Sequence, residues 1–552
     1  MPDRFLLTAP ASGCGKTFLT CGILRALQMQ GKNPVSFKCG PDYIDPMFHS
    51  RVLGTKSRNL DTFFLQDEAA RRLLAENGAG SDIAVLEGAM GYYDGLGGTS
   101  DRASAYDAAR ATDTPAVLIV DARGASLSLI PLIRGFLEYR PDSRIRGVIF
   151  NRMSPMLYPR MKGLLQDELQ ISAAGYVPNL KDCSLESRHL GLVMPEEIPN
   201  LQKKIDRLAE TLLETLDWEA LYGIASQAGD IQQPAGDRES RIISTTNMTA
   251  HLQSADSGMQ ADRGNGEDIF LPRPAGNGMS AGREKGKDTS LPQPAEDGRL
   301  SLGRGQADHS LFQTAGEKGE KKKRTIETSA RIGIARDEAF CFFYEDNFDF
   351  LREMGAELVW FSPLRDAALP EELDGLLLYG GYPELHAEEL GRNRSMRESV
   401  REAITGGLPC MAECGGFLYL HEQLEDMDGK AHPMAGVIPG TARKTDRLGP
   451  FGYVTLTEGK VFGQEVGPIP SHEYHYFASD NPGGDFLAEK PQGKRSWRCI
   501  HSTDTLFAGF PHIYFPANPK TAEAFMAACL KYAGQKKNRR MGEGFRQQRQ
   551  KP

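Results

Sequence analysis

The sequence predicts an α/β protein in which two parallel-sheet domains are joined by a long disordered insert. Three observations carry that expectation. A strand-like run, Phe5 to Ala9, enters a glycine-containing loop and then an amphipathic helical pattern over 18–29. Strand and helix patterns resume at Arg331 and lead to Cys414 at a sharp turn. Between them, from about Gln227 to Thr328, Gly, Ser, Asp, Gln and Pro displace the aliphatics, leaving too little apolar mass to offset the entropy of ordering. The expected divisions are 1–226, 227–330, 331–535 and a basic disordered tail, 536–552. A chain of 552 residues exceeds a single core, since domains average roughly 150 residues.

Composition narrows the function. The net charge of −8 gives no global attraction to nucleic acid. Nine cysteines lie at irregular spacing without a Cys-x-x-Cys pair, so neither a zinc site nor a disulfide framework is expected. No run of about eighteen apolar residues occurs, and no signal-peptide pattern precedes Phe5. A cytoplasmic protein without membrane or nucleic-acid partners is the expectation.

Pro10-Ala11-Ser12-Gly13-Cys14-Gly15-Lys16-Thr17 is a Walker A loop with Pro10 at the first glycine position. Gly13 and Gly15 let backbone N–H groups crowd around phosphates, Lys16 can reach the β and γ oxygens, and the Thr17 hydroxyl can hold Mg²⁺ at a helix N-terminus. ATP and Mg²⁺ are therefore the expected ligands. Further strands end in polar residues, where open α/β sheets bind ligands: 37–46, 85–95 and 116–121. Glu87 resembles a Walker B carboxylate, and Asp42, Asp45 and Asp94 add the hard oxygens that Mg²⁺ prefers. Thr17, Asp45 and Glu87 form the expected metal set. Asn151, closing the strand 147–150, is a candidate adenine-contacting amide.

The insert carries a faint period of about twenty residues, with Asp268, Asp288 and Asp308 recurring alongside Leu271, Leu291 and Leu311. It ends in the basic run Lys321 to Arg324.

In the last third, strands are expected at 331–336, 357–361 and 375–379, with a helix near 344–354. Gly380 and Gly381 follow a strand, where backbone N–H groups can face a developing oxyanion, each donor contributing about 3–4 kcal/mol in acyl transfer. Gly381 and Gly415 are the expected donors. Cys414 stands between an apolar run and a helical pattern opened by Gly415 and Gly416. A free thiol has a pKa of about 8.5, and a helix N-terminus beyond the turn is expected to favour the thiolate. A base must come from elsewhere; His472, His475, His501 and His512 are the candidates. Beyond Gln535 the tail is expected to fray.

The motifs Gly40-Pro41-Asp42-Tyr43-Ile44-Asp45-Pro46, Asn59-Leu60-Asp61, Glu87-Gly88-Ala89-Met90-Gly91 with Tyr93-Asp94-Gly95, and Arg188-His189-Leu190-Gly191-Leu192 resemble those of the cobyrinic acid a,c-diamide synthase family. Ala412-Glu413-Cys414-Gly415-Gly416 resembles the nucleophile turn of the associated glutamine amidotransferases. The resemblance implies a dethiobiotin-synthetase-like P-loop domain joined to a class I-like glutamine amidotransferase domain. It assigns Cys414 as nucleophile and His512 as base, and it implies substrate contacts at Asp42, Tyr43, Asp94, Arg188 and His189. Many amidotransferases carry a glutamate two residues after the histidine; Tyr514 holds that position, so a Cys–His pair without the usual acid is implied. The implied activity is ATP- and glutamine-dependent amidation of the a and c acetates of cobyrinic acid through acyl phosphates, in cobalamin biosynthesis. Its partners are a corrinoid and L-glutamine, and a homo-oligomer is compatible with the sequence. Nickel sirohydrochlorin and hydrogenobyrinic acid are alternative substrates for the same chemistry. A nucleotide switch with a degenerate second domain is the rival of another class, and it needs neither Cys414 nor His512.

Overall fold

Seven strands form the first sheet: β1 (Asp3–Thr8), β2 (Pro34–Cys39), β3 (Ser57–Leu60), β4 (Ile83–Glu87), β5 (Ala116–Asp121), β6 (Ile145–Asn151) and β7 (Ser172–Val177), in the order β3-β2-β4-β1-β5-β6-β7. All its pairings are parallel. Parallel sheets are covered on both faces, which is why these strands read as near-continuous apolar runs. Val117 and Ile119 of β5 enter one core while Leu118 and Val120 enter the other. The helix α1 (Lys16–Met29) starts directly on the P-loop lysine.

The computed structural model describes residues 1–180, 187–188, 191–192, 194–231, 329–445 and 449–549; at 187–188, 191–192, 196 and 540–549 only the backbone is described. The expected insert, from 232 to 328, with its repeats and basic run, lies outside the described residues. Residues 227–231 pack on the first half: Gly229 N–H donates to Asp113 O at 3.0 Å, and Ile231 is buried.

The second half contains a six-stranded sheet in the order 357–361, 331–335, 375–378, 410–413, 506–509, 501–502. Only the last pair is antiparallel. A separate antiparallel sheet, unforeseen in the sequence, sets Ile469–Tyr474 against Phe451–Thr457 on one side and His512–Ile513 on the other. The last described element is a helix, Pro519–Arg549, which continues past Gln535, where a frayed tail is expected. Lys536 helps hold that helix, its Nζ donating to Asp374 Oδ1 at 2.7 Å.

The halves share their cores. Tyr344 and Tyr514 enter one core of the first half, and Cys341, Phe342 and Tyr382 the other. Polar contacts join them too: Arg58 pairs with Asp349 at 2.6 Å, and Tyr453 OH donates to Asp61 Oδ2 at 2.8 Å. Among the described residues no helix is long and apolar enough to cross a membrane.

Candidate active site

The P-loop turns on Gly13 (φ 79°) and Gly15 (φ 92°), both in the left-handed region that suits glycine. A Cβ on Gly15 would meet Asn151 Nδ2 at 2.6 Å. Asn151, expected near adenine, instead donates its amide to Cys14 O at 2.8 Å and so holds the loop backbone. Lys16 Nζ donates to Ala11 O at 3.2 Å and also to Met90 O. Burial, then the nearby Lys38 charge, lowers its pKa to about 8.

Three expected metal-set residues come together. Thr17 Oγ1 lies 2.8 Å from Glu87 Oε1 and 3.1 Å from Asp45 Oδ2. Two residues that the sequence reading missed complete the cluster. Lys38, buried in mid-strand, donates to Glu87 Oε1 at 2.9 Å and to Asp45 Oδ2. His49 Nε2 stands 3.1 Å from Glu87 Oε2, while its Nδ1 meets Ser36 Oγ at 3.1 Å. Burial alone would raise Glu87, but the Lys38 ammonium and His49 hold it well below the usual carboxylate range. Burial and the Asp42 charge push Asp45 up.

The other expected substrate residues have local partners. Asp42 Oδ1 accepts from Ile44 N at 2.8 Å and Asp45 N at 3.3 Å, fixing the short helix that presents Asp45. Asp94 Oδ2 accepts from Gly91 N at 3.0 Å, and a Cβ on Gly91 would stand 2.6 Å from Pro10 O, so this turn packs against the P-loop. Arg188 lies in a described backbone pair with Gly191, without side-chain description, and His189 lies outside the described residues.

In the second half, the strand Cys410–Glu413 ends at Cys414, whose φ of 45° and ψ of −104° fall outside the usual wells. Such a conformation costs about 1–3 kcal/mol and persists only where surroundings impose it. Here the Cys414 amide is held by Gly509 O at 2.8 Å. The helix beyond spans only Gly415–Tyr419. The expected thiolate is corrected: burial, then the Glu384 charge, pushes the Cys414 thiol up, with the Gly415 amide working against them. A Cβ on Gly415 would lie 3.0 Å from Gly381 N, so the two expected oxyanion donors are neighbours at the Cys414 turn.

Gly380 lies between His512 and Cys414, the expected base and nucleophile. A Cβ there would stand 2.6 Å from His512 Cε1 and 3.5 Å from Cys414 Cβ, so these two atoms are within about 6 Å of one another. Two of the rival histidines are engaged elsewhere. His475 stacks on Phe510 at 3.7 Å and bonds Phe477 O through Nδ1, and His501 meets Asn481 O at 2.9 Å. His472 pairs in register with His512 across the antiparallel sheet. Burial lowers the His512 pKa to about 3. A further unforeseen neighbour is Glu413, whose Oε2 is 3.6 Å from His512 Nδ1.

Tyr43 links the halves. Its ring lies 5.1 Å from His512, 5.5 Å from Phe342 and 4.8 Å from Tyr344, although its neighbours Asp42 and Asp45 belong to the P-loop side.

Residues 5–193 match the CobQ/CobB/MinD/ParA nucleotide binding domain, and residues 331–520 match the CobB/CobQ-like glutamine amidotransferase domain. The cobyrinate a,c-diamide synthase of Listeria innocua is 33% identical, over 94% of this chain and 97% of its own. The chain belongs to the cobyrinate a,c-diamide synthase family. As a member, it is a glutamine-dependent amide ligase. The cobyrinate a,c-diamide synthase of Salmonella typhimurium is 31% identical over 95% of this chain and 98% of its own. The hydrogenobyrinate a,c-diamide synthase of Pseudomonas aeruginosa is 32% identical over 95% and 97%. A nucleotide switch is thereby set aside, since the family's similarity runs through the amidotransferase domain as well as the P-loop.

Proposed function

We propose that the chain amidates the a and c acetate carboxylates of cobyrinic acid, activating each with ATP as an acyl phosphate and taking nitrogen from glutamine. A carboxylate repels nucleophiles and offers only oxide as a leaving group, so activation must precede attack. A substrate carboxylate oxygen attacks the γ-phosphorus and ADP leaves. Lys16 and the P-loop N–H groups balance the charge that moves between the oxygens. Ammonia then attacks the acyl phosphate, and phosphate leaves.

The ammonia arises at Cys414. Its thiol gives a proton to His512 as sulfur attacks the glutamine amide carbon, with the Gly381 and Gly415 N–H groups facing the oxyanion. His512 returns the proton to the departing ammonia, and water cleaves the thioester to glutamate and restores the thiol.

Thr17, Asp45 and Glu87 fit Mg²⁺. They offer hard oxygens, with Thr17 Oγ1 within 3.1 Å of both carboxylates, and Mg²⁺ there would share those carboxylates with the Lys38 ammonium that pairs with both. When bound, Mg²⁺ would neutralise phosphate oxygens during transfer.

The observation that carries this reading is the reach of the Gly40–Pro46 segment, which sets Asp45 at the P-loop and Tyr43 on His512. Two half-reactions that must share ammonia are thus adjoined through one segment. Hydrogenobyrinic acid is the second reading, favoured by the Pseudomonas relative at 32% identity. The test is kcat/KM for cobyrinic acid, hydrogenobyrinic acid and nickel sirohydrochlorin under identical ATP and glutamine. A preference for the nickel compound overturns the substrate while preserving the chemistry.

A further inference from the structure

We infer that Glu413, the residue immediately before the nucleophile, is the carboxylate that positions His512, so that the orienting acid comes from the nucleophile strand. The inference rests on Cys414 and His512 acting as nucleophile and base. Glu413 and His512 are each 2% exposed, and Glu413 Oε2 stands 3.6 Å from His512 Nδ1. Among the described residues, His512 Nδ1 and Glu413 Oε1 have no hydrogen-bond partner, while the Ile513 amide bonds the Glu413 carboxyl. A buried carboxyl oxygen without a partner is costly, and so is a buried ring nitrogen without one; their adjacency makes each group the natural partner of the other.

The alternatives are occupied or turned away. Tyr514, at the position two beyond the histidine, packs its ring on Phe64 at 5.4 Å and Tyr344 at 5.0 Å. Glu473, the other buried acid near His512, faces His475 Nε2 at 3.3 Å. The remaining walls around His512 are the Tyr43 ring, Gly380 and the register partner His472.

Chemically, a carboxylate at Nδ1 selects the tautomer with hydrogen on Nδ1, leaving the Nε2 lone pair for the thiol proton. Burial, opposed by the Ile513 amide, pushes the Glu413 carboxyl up, and an imidazolium formed at His512 favours its ionised form. Without that compensation, a site whose burial disfavours both thiolate and imidazolium would form the ion pair at greater cost.

The test is steady-state glutamine hydrolysis by the full chain with ATP and cobyrinic acid, beside amidation supported by ammonium. Glu413→Gln should lower kcat for glutamine about 10²-fold while the glutamine KM moves less than about threefold. Ammonium-supported amidation should stay within about twofold, reporting an intact fold. Glu413→Asp, which keeps the charge on a shorter arm, should lose less than Glu413→Gln; it also carries the test alone if the Gln variant does not fold. In a His512→Ala background, Glu413→Gln should change the residual rate by less than about twofold, because a residue acting through the imidazole has nothing left to position. A near-normal kcat in Glu413→Gln overturns the inference, as does an Asp variant worse than Gln or a further large loss in the double variant. Glutamine-dependent synthesis surviving Cys414→Ala would instead overturn the underlying assignment.

Discussion

Gly380→Ala adds one methyl carbon at the junction of nucleophile and base. That carbon would stand 2.6 Å from His512 Cε1, 3.4 Å from Phe342 Cβ and 3.5 Å from Cys414 Cβ. Carbon atoms prefer separations of about 3.5–4.0 Å, so the contact with the imidazole is short by about 1 Å while the other two are tolerable. The ring has little room to withdraw, because Tyr43 lies 5.1 Å from it and Glu413 borders Nδ1. A misplacement of about 1 Å in a reacting group costs about 10²-fold in rate, or about 2.7 kcal/mol of activation free energy. Overpacking should add about 1–3 kcal/mol of destabilisation, tolerable if amidation from ammonium persists. The assay compares initial rates with glutamine and with ammonium chloride on the same preparation. A selective loss with glutamine is expected. Glutamine-supported turnover within about threefold of the parent would refute the claim that the close packing of His512 on Gly380 sets the imidazole for glutamine hydrolysis.

Cys414→Ala should abolish amidation from glutamine and spare amidation from ammonium, measured by product formation with each nitrogen source. Lys38→Met leaves Asp45 and Glu87 buried without their shared cation and should cost about 3–5 kcal/mol, read as a lower denaturant midpoint; an unchanged midpoint would mean that the cluster reorganises freely. Lys16, with its pKa lowered to about 8, loses its proton as pH rises through that value, so nucleotide affinity of the free enzyme should weaken above it. Titrations from neutral to alkaline pH should show that limb in the parent and not in Lys16→Arg, whose charge persists. A flat parent profile would contradict the buried-lysine reading.

Local sequence carried the P-loop, the sharp turn at Cys414 and the parallel strands, because each is a contiguous run whose glycines and apolar residues report backbone geometry directly. The partners of those runs were less legible. Lys38 interrupts an apolar strand, and its role depends on Asp45 and on Glu87, 49 positions away. Glu413 sits inside a motif that was read for its cysteine, yet its function depends on where the antiparallel sheet returns His512. Asn151 is expected at adenine from its place at a strand end, but whether its amide faces adenine or Cys14 O is a matter of side-chain direction. The terminal helix escaped the reading because Gly534, Gly542 and Gly544 and the dense basic residues resemble a tail, whereas Lys536 is anchored on Asp374, far away in sequence.

The most direct test of the central claim is isotope transfer in the unmodified enzyme, with cobyrinic acid, ATP, Mg²⁺ and glutamine labelled with ¹⁵N at the side-chain amide. Product mass should show labelled nitrogen in both the a and c amides, with one ADP and one glutamate released for each amide formed. ATP hydrolysis or glutamine hydrolysis without label reaching the macrocycle would contradict the account.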